Sequence, residues 1–570
     1  MNVIHKHRAF ALKAISLAAV LALPAVAGAQ VLTPGDLIVS GSFYQNVGQV
    51  AQLSAGSVLS GGTVATSNGQ FQNVFLNAGA DGSFGVTSQI FLQDYSLGAS
   101  SASLNAQYNI DPNVAVNSFS SKSELGLNIS SDGTALTFMG YTPVTSFSST
   151  GTNGVAAVTT GGSNNLGLID ISNSNTPGVV DSANPVNASA YRTVVQLNLN
   201  SLSATATGTA GVYNLTGGVQ STQTNAYSGN NGRAAVLING NYYMVGNAGN
   251  GSHNAALSQT TGVQMIAAGS TNPNTTVVGA CSGTSTSGSG YQCGFNYGNY
   301  PGGTVDKTGK DNNFRGLDVY NGQMYVSKGS GGNGLNTVYQ VSGYSSPSTA
   351  TVTPVSAAGS TTGVPQVAGS SSYLGYTGTP FGIWQANATT MYVAYEGDGK
   401  QATTGTGVST GPTGGMGGLA KFSLVNGNWS MDYMVQAGLN TSFQSTVVGG
   451  GNGMNYTDGL RNITGQVNAD GTVTIYGVTS TVTDSTVSGS WDQGANPDQI
   501  VALTDTLANT TSTTNSFTVL QTSSGGEVFR GVALAPQAAA AVPEPETYAL
   551  MLVGLGLLGG AVRRNQKRAA

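Results

Sequence analysis

Arg233-Ala-Ala-Val-Leu-Ile-Asn-Gly-Asn-Tyr-Tyr-Met-Val-Gly246 is the stretch that decides the fold. An apolar run meets Asn239-Gly240, and a second run rich in Tyr, Met and Val leaves it. Asn-Gly supplies the two positive φ angles of a tight turn, so the phrase reads as a β-hairpin. It returns as Phe314-Arg-Gly-Leu-Asp-Val-Tyr-Asn-Gly-Gln-Met-Tyr-Val-Ser327 and as the run from Phe381 to Tyr395. A longer version spans Leu460 to Gly477 around Asp470-Gly471, and an earlier one spans Ser123 to Gly140 around Asp132-Gly133.

Equivalent positions Gly232, Phe314, Phe381, Leu460 and Phe529 lie 82, 67, 79 and 69 residues apart. Two more candidate strands follow a hairpin, as in Thr337–Val341 with Ala350–Val355 and Ala420–Val425 with Ser430–Gln436. Four strands per unit, repeated around a ring, is a β-propeller blade, here lengthened by Gly/Ser/Thr loops such as 397–418. The last copy, Phe529-Arg-Gly-Val-Ala-Leu-Ala535, offers one strand and then Pro536. The opening of the chain has the complement: 35–40, 89–96 and 101–110 read as three strands without a leading partner. The expectation is therefore an all-β, six-bladed propeller over 30–536, its ring closed by the C-terminal strand pairing with N-terminal ones. Seven blades or a β-solenoid are the alternative architectures.

Composition narrows the functional classes. Charged residues are 7% of the chain, Gly is 83 of 570, and hydrophobic residues are 39%, a mixture that suits secreted β-structure rather than disorder. Outside the two terminal segments there remain 11 basic residues against 21 acidic ones, so the electrostatic footprint of a nucleic-acid binder is missing. Cys281 and Cys293, the only two cysteines, are expected to pair as a disulfide outside the cytoplasm.

Both ends carry addresses. Residues 1–29 have the three parts of a secretory leader: Lys6, Arg8 and Lys13, the apolar run 14–23, and a small-residue cleavage site at Ala27-Gly28-Ala29. At the other end, Pro543-Glu544-Pro545 precedes a 15-residue uncharged run, 548–562, and then Arg563, Arg564, Lys567 and Arg568. As a helix that run is about 22 Å long, short for a hydrocarbon core of about 30 Å. The basic residues keep the tail inside and leave the middle outside. Pro-Glu-Pro, marginal helix and basic tail together resemble the PEP-CTERM sorting signal, over 543–570 with 537–542 as linker. That resemblance implies transient insertion in the inner membrane of a Gram-negative-type cell, processing by an exosortase, and a product released or attached at the surface. The middle is also similar to secreted bacterial propeller-like proteins that carry such tails.

Arginine opens the first strand of several units: Arg233, Arg315, Arg461 and Arg530. First strands of blades line a propeller's channel, and a guanidinium is a planar fork of donors that matches carboxylate, sulfate or phosphate. The four are a candidate anion or glycan site; the competing reading pairs each with an acid of a neighbouring blade. Asp306, Asp311, Glu396 and Asp398 sit in acidic turns whose oxygens suit Ca²⁺, though neither turn matches an EF-hand, and no other cofactor is expected. Catalytic templates fail. His253 stands alone past the leader, Gly407-Val-Ser-Thr-Gly411 lacks the strand and helix of a nucleophile elbow, and Gly329-Ser-Gly-Gly-Asn-Gly334 precedes a strand rather than a helix.

These observations point to an exported, non-enzymatic surface or matrix protein with a structural or glycan-binding role linked to acidic exopolysaccharide and biofilm. The alternatives are an extracellular carbohydrate-active hydrolase or lyase and, less well supported, ice or surface adhesion.

Overall fold

The computed structural model describes residues 31–536 apart from several loops, the longer ones being 144–164, 180–188, 250–258, 283–291, 294–312, 330–336, 356–379, 400–416, 447–451 and 484–493. The leader, the linker and the sorting segment lie outside the described residues. Among those described, regular structure is almost entirely strand, and no helix is long and apolar enough to cross a membrane.

The hairpin phrases fold as their turns demand. Gly232–Ile238 pairs antiparallel with Asn241–Gly246, and Asn239 and Gly240 hold φ of 48° and 78°. Phe314–Tyr320 and Gln323–Lys328 do the same through Asn321 and Gly322 at 48° and 75°. Two more strands then add outward, giving a propeller-like ring of five blades. The first blade orders Asn128–Ile129, Ala135–Tyr141, Arg192–Asn198 and Val219–Thr224. The second continues its hairpin with Gln264–Ala267 and Thr276–Val277, and the third with Val338–Ser342 and Thr351–Pro354. The fourth runs Pro380–Asn387, Thr390–Tyr395, Gly418–Val425 and Asn428–Val435. The fifth has an extra leading strand, Ser442–Thr446, before Asn452–Val467, Thr472–Thr483, Gln499–Thr506 and Thr518–Thr522.

The unit expected to form from both ends of the chain is a larger sheet of seven strands, not a four-stranded blade. Leu37–Phe43 lies between Thr87–Leu97 and the C-terminal strand Glu527–Leu534, with Val39 opposite Val532 and Leu37 opposite Leu534. Ala102–Asn109 follows, and its far edge is taken by a parallel strand, Val212–Gly217, which also pairs with Ser203–Ala206. That parallel pairing brings in a segment from between two strands of the first blade. Chain between the two opening strands forms a small cap of short helical turns, Val50–Gln52, Phe71–Val74 and Phe75–Gly79. It is held by a cluster of Tyr44, Phe71, Phe75 and Phe119 rings with centroids 5.4–5.9 Å apart.

The core lies between neighbouring sheets. Met139 and Val194 pack with Ala235 and Tyr242 from first to second blade, and Val245 and Phe314 continue from second to third. Tyr325 and Val338 meet Ile383 and Phe422, and Leu419 and Tyr392 meet Ile475 and Leu503. The terminal sheet packs on the fifth blade through Leu37, Phe529, Tyr476 and Ile500, and on the first through Ile38, Ala533, Leu136 and Val195. Each fully buried aliphatic or aromatic side chain contributes about 1.5–3 kcal/mol, so these seams carry most of the stability.

Innermost strands come close enough for backbone contact. Gly126 forms a parallel bridge with Ala234. A Cβ on Gly316 would lie 1.9 Å from the Phe381 carbonyl oxygen, and one on Gly531 would lie 2.3 Å from that of Leu125, so only glycine fits these crossings. Asn462 Nδ2 donates to the Arg530 carbonyl at 2.7 Å, and Ser40 Oγ donates to the Leu125 carbonyl at 2.5 Å.

Candidate functional site

Every arginine that sequence reading placed at a strand entrance stands at a break in the β-ladder. Pairing skips from Gly232 to Ala234 around Arg233, from Phe314 to Leu317 around Arg315, and from Leu460 to Ile463 around Arg461. Opposite Ser40 and Gly41 it skips from Gly531 to Phe529, around Arg530. The fourth blade breaks at the same level, between Pro380 and Ile383. A β-bulge frees one residue from the alternation of faces and re-aims its side chain. Here the bulges bring guanidiniums from different sheets to one end of the ring.

In the first blade Glu124 takes the equivalent place, followed by Leu125 with φ of 67°. A buried leucine in the left-handed region is strained, and its carbonyl is the one reached by Ser40.

The partners of these side chains decide what each does. Arg530 is 2% exposed and bonded on all sides: Nε donates to Ser121 O at 2.9 Å, Nη1 to Phe529 O at 3.0 Å and to Asp498 Oδ2 at 3.4 Å, and Nη2 to Phe119 O and Gly494 O. It thereby ties the C-terminal strand to the approach of the first blade and to the fifth. Asp498 also accepts from the Phe529 N–H at 2.9 Å and Ser523 Oγ at 3.2 Å. Arg315 pairs with Glu396 of the fourth blade and lies 5.5 Å over the Phe381 ring. Arg461, from the fifth blade, reaches the other oxygen of the same carboxylate at 3.6 Å. Arg233 donates to Asn313 Oδ1 and, at 3.4 Å, to the Phe314 carbonyl of the third blade. Glu124 accepts from Tyr141 at 2.7 Å and Asn231 at 2.5 Å.

Burial governs the titration of this cluster. Desolvation pushes Arg233, Arg461 and Arg530 down to about 10, and it pushes Arg315 well below its usual range, helped by the like charges of Arg233 and Arg461. It pushes the Asp498 carboxyl up to about 7, against the pull of Arg530. Lys122 falls to about 7, through burial first and then through the nearby charges of Arg461 and Arg315. Its ammonium therefore stands among arginines of the third and fifth blades. Sequence reading passed over Lys122, one residue before a repeated phrase, and Asp498, 21 residues beyond the end of another.

A second buried charge group lies deeper between the fourth and fifth blades. Lys421 Nζ donates to Asp505 at 3.2 Å and to the carbonyls of Thr506, Leu507 and Asn509 at 2.7–3.0 Å. Tyr392 and Tyr433 donate to the same carboxylate at 2.7 and 2.6 Å. Eight of the 11 basic residues outside the terminal segments are described, and none is exposed. The exposed charges include Asp111, Asp132 and Asp470.

The Ca²⁺ reading finds no support at Glu396, whose oxygens face two guanidiniums. Asp306, Asp311 and Asp398 lie outside the described residues, and among those described no three His, Cys, Asp or Glu side chains gather as a metal would need. Backbone pairing sets Cys281 directly opposite Cys293, and Cα atoms so opposed lie about 4.5–5.5 Å apart, within disulfide reach. His253 and the Gly407–Gly411 run also fall outside the described residues.

Residues 541–567 match the PEP-CTERM protein-sorting motif, the mark of an exported protein anchored at its C-terminus before exosortase processing. No curated protein matches the chain. Among solved structures it is similar to the phage phi92 endosialidase, at 10% identity and a TM-score of 0.25, covering 76% of this chain and 55% of that one. A Trypanosoma rangeli sialidase in complex with the inhibitor DANA follows at 9% and 0.24, covering 69% and 51%. The chain spans about half the length of these structures, and at such TM-scores the likeness carries no argument about activity.

Proposed function

We propose that this exported protein is a non-enzymatic structural component of the cell surface or of an exopolysaccharide matrix, with hydrogen-bonding contact to glycans. One observation carries the reading: the described cations are turned inward, where Arg530 and Lys421 hold one sheet to the next. Burying cations is expensive unless each is paired and hydrogen-bonded, and here those partners belong to adjacent sheets. Such use of charge fits a body that must keep its shape outside the cell. Among the described residues the exterior is left mostly to Ser, Thr, Asn, Gly and a few acids, with scattered Val and Leu, a weakly charged surface suited to a hydrated polysaccharide.

The terminal sheet is then a sixth unit, and the pairing of Leu37–Phe43 with Glu527–Leu534 seals the ring. Its contacts with both the fifth and the first blade support this, as do the crossings at Asn462 and Gly531. Closure also removes an edge that would template aggregation.

The test incubates the processed protein with exopolysaccharide from the producing cell. Co-sedimentation without new reducing ends or unsaturated uronates is the expected result. Turnover that disappears in Arg315→Ala or Glu396→Gln would overturn the reading in favour of a carbohydrate-active enzyme.

A further inference from the structure

We propose that the mouth of the ring between Lys122, Arg315 and Arg461 binds one small oxyanion of the carboxylate, sulfate or phosphate class. The site goes beyond the structural reading above and does not depend on it. Arg530 takes no part, since its donors are bonded to Ser121, Phe529, Asp498, Phe119 and Gly494.

Charge supplies the first reason. Lys122, Arg233, Arg315, Arg461 and Arg530 influence one another here, against the carboxylates of Glu124, Glu396, Asp458 and Asp498. Glu396 is shared by Arg315 and Arg461, and Asp498 and Asp458 also act on Arg461, so five cations face four carboxylates in the cluster. An excess of positive charge in a desolvated place draws an anion more strongly than the same charge would in water.

An unsatisfied donor supplies the second. Within the proposed site, Nε of Arg315 is buried and has no hydrogen-bond acceptor among the described residues. A buried donor without an acceptor costs about 1–3 kcal/mol, which an oxyanion with several lone pairs can relieve.

Access supplies the third. Arg233 and Arg461 are 5% and 3% exposed, whereas the side chains of Arg315 and Glu396 keep 12% and 14%, and Lys122 is half-buried. The solvent-facing rim of the cluster is thus Lys122 with the Arg315–Glu396 pair. With the described cations elsewhere turned inward, this rim is where an anion would find positive charge on the molecule.

Lys122, which faces Arg315, Arg461, Arg530 and Asp458, must be protonated to take part, and it already titrates near 7. Affinity should therefore fall as pH rises from 6 to 8.

The experiment is isothermal titration of the processed protein at pH 6 with sodium sulfate, inorganic phosphate and galacturonate, each against sodium chloride of equal ionic strength. One-site saturation with at least one of the three is expected, weakened at least tenfold in Lys122→Gln and unchanged in the turn variant Asp470→Asn. Arg315→Lys keeps the charge but loses the fork and should also bind more weakly, which preserves the test if Lys122→Gln does not fold. Saturation by sulfate or phosphate alone assigns a free ion; saturation by galacturonate as well assigns an acidic sugar. No saturable heat above the chloride control, or both variants binding like the native protein, would overturn the proposal. Sulfate binding can succeed while exopolysaccharide fails to co-sediment, so the two readings fail separately.

Discussion

Replacing Arg530 by Met removes the residue that joins three sheets. The change deletes the contacts to Ser121, Phe119, Gly494 and Asp498 and leaves Asp498, itself 1% exposed, with the Phe529 N–H and Ser523. Breaking a buried pair from one side costs about 3–5 kcal/mol, because the remaining charge has lost its compensation. Asp498 can escape part of that cost by binding a proton. Its folded pKa, about 7, already stands above the ordinary carboxylate value and will rise further without Arg530. The native state then holds a proton that the unfolded chain releases, so stability contributed by protonated Asp498 is full below about 4 and is lost as pH rises through the folded pKa. The penalty of Arg530→Met should accordingly be near the top of the range at pH 8 and smaller at pH 5. Urea unfolding followed by the fluorescence of Trp384, Trp429 and Trp491 measures it at both pH values. Adding Asp498→Asn should recover part of the loss at pH 8, but not all, since the bonds from Arg530 to the carbonyls of Ser121 and Phe119 remain lost. A single variant within about 0.5 kcal/mol of the native protein, or a penalty that does not change with pH, would refute the reasoning.

Lys421→Met should destabilise by a similar ~3–5 kcal/mol, because Asp505 and three carbonyls lose a common donor, and hydrogen exchange should quicken in the fourth and fifth blades. Gly316→Ala should cost about 1–3 kcal/mol or more in urea unfolding, since its Cβ meets the Phe381 carbonyl oxygen, whereas Gly79→Ala, which meets nothing, should be nearly neutral. Asp318 accepts from the Gln385 N–H at 3.0 Å, and burial raises its carboxyl to about 7. Asp318→Asn should therefore flatten the fall in stability between pH 4 and 7 and raise the melting temperature at pH 8 relative to the native protein.

Much of the fold was legible because each hairpin is specified locally. Asn239-Gly240 and Asn321-Gly322 demand positive φ, and the flanking runs have the residue types of half-buried strands. The pairing of Val39 with Val532 was legible for a different reason: one end of the chain had a strand without partners and the other had partners without a leading strand. The bulges left no comparable mark. They are fixed by backbone crossings such as that of Gly316 with Phe381, and no alternation of side chains announces where a ladder skips. The terminal sheet grew beyond four strands through a parallel pairing between residues more than 100 apart, 107 with 212, which local pattern does not encode. Helical turns in the cap span three to five residues, too few for a helical period.

At the site, the arginines were found because an Arg recurring at one place in a repeat is conspicuous in a chain with so few cations. Their partners were not read as such: Glu396 stood out only as an acidic-turn residue, Asp498 occupies no repeated position, and Asn313, although it recurs as Asn231 two residues before an Arg, carries no charge to mark it. Lys122 precedes its unit by one residue, and the scarcity of basic residues was the signal that could have singled it out.

The ring seal is tested most directly by cysteines at Val39 and Val532, which stand opposite each other between the first and last strands. In the exported double variant a 39–532 disulfide should form spontaneously, with the molecule soluble, monomeric in its cross-links and more resistant to urea than its reduced form. A folded protein in which these two cysteines stay reduced, or join only between molecules, would contradict the account.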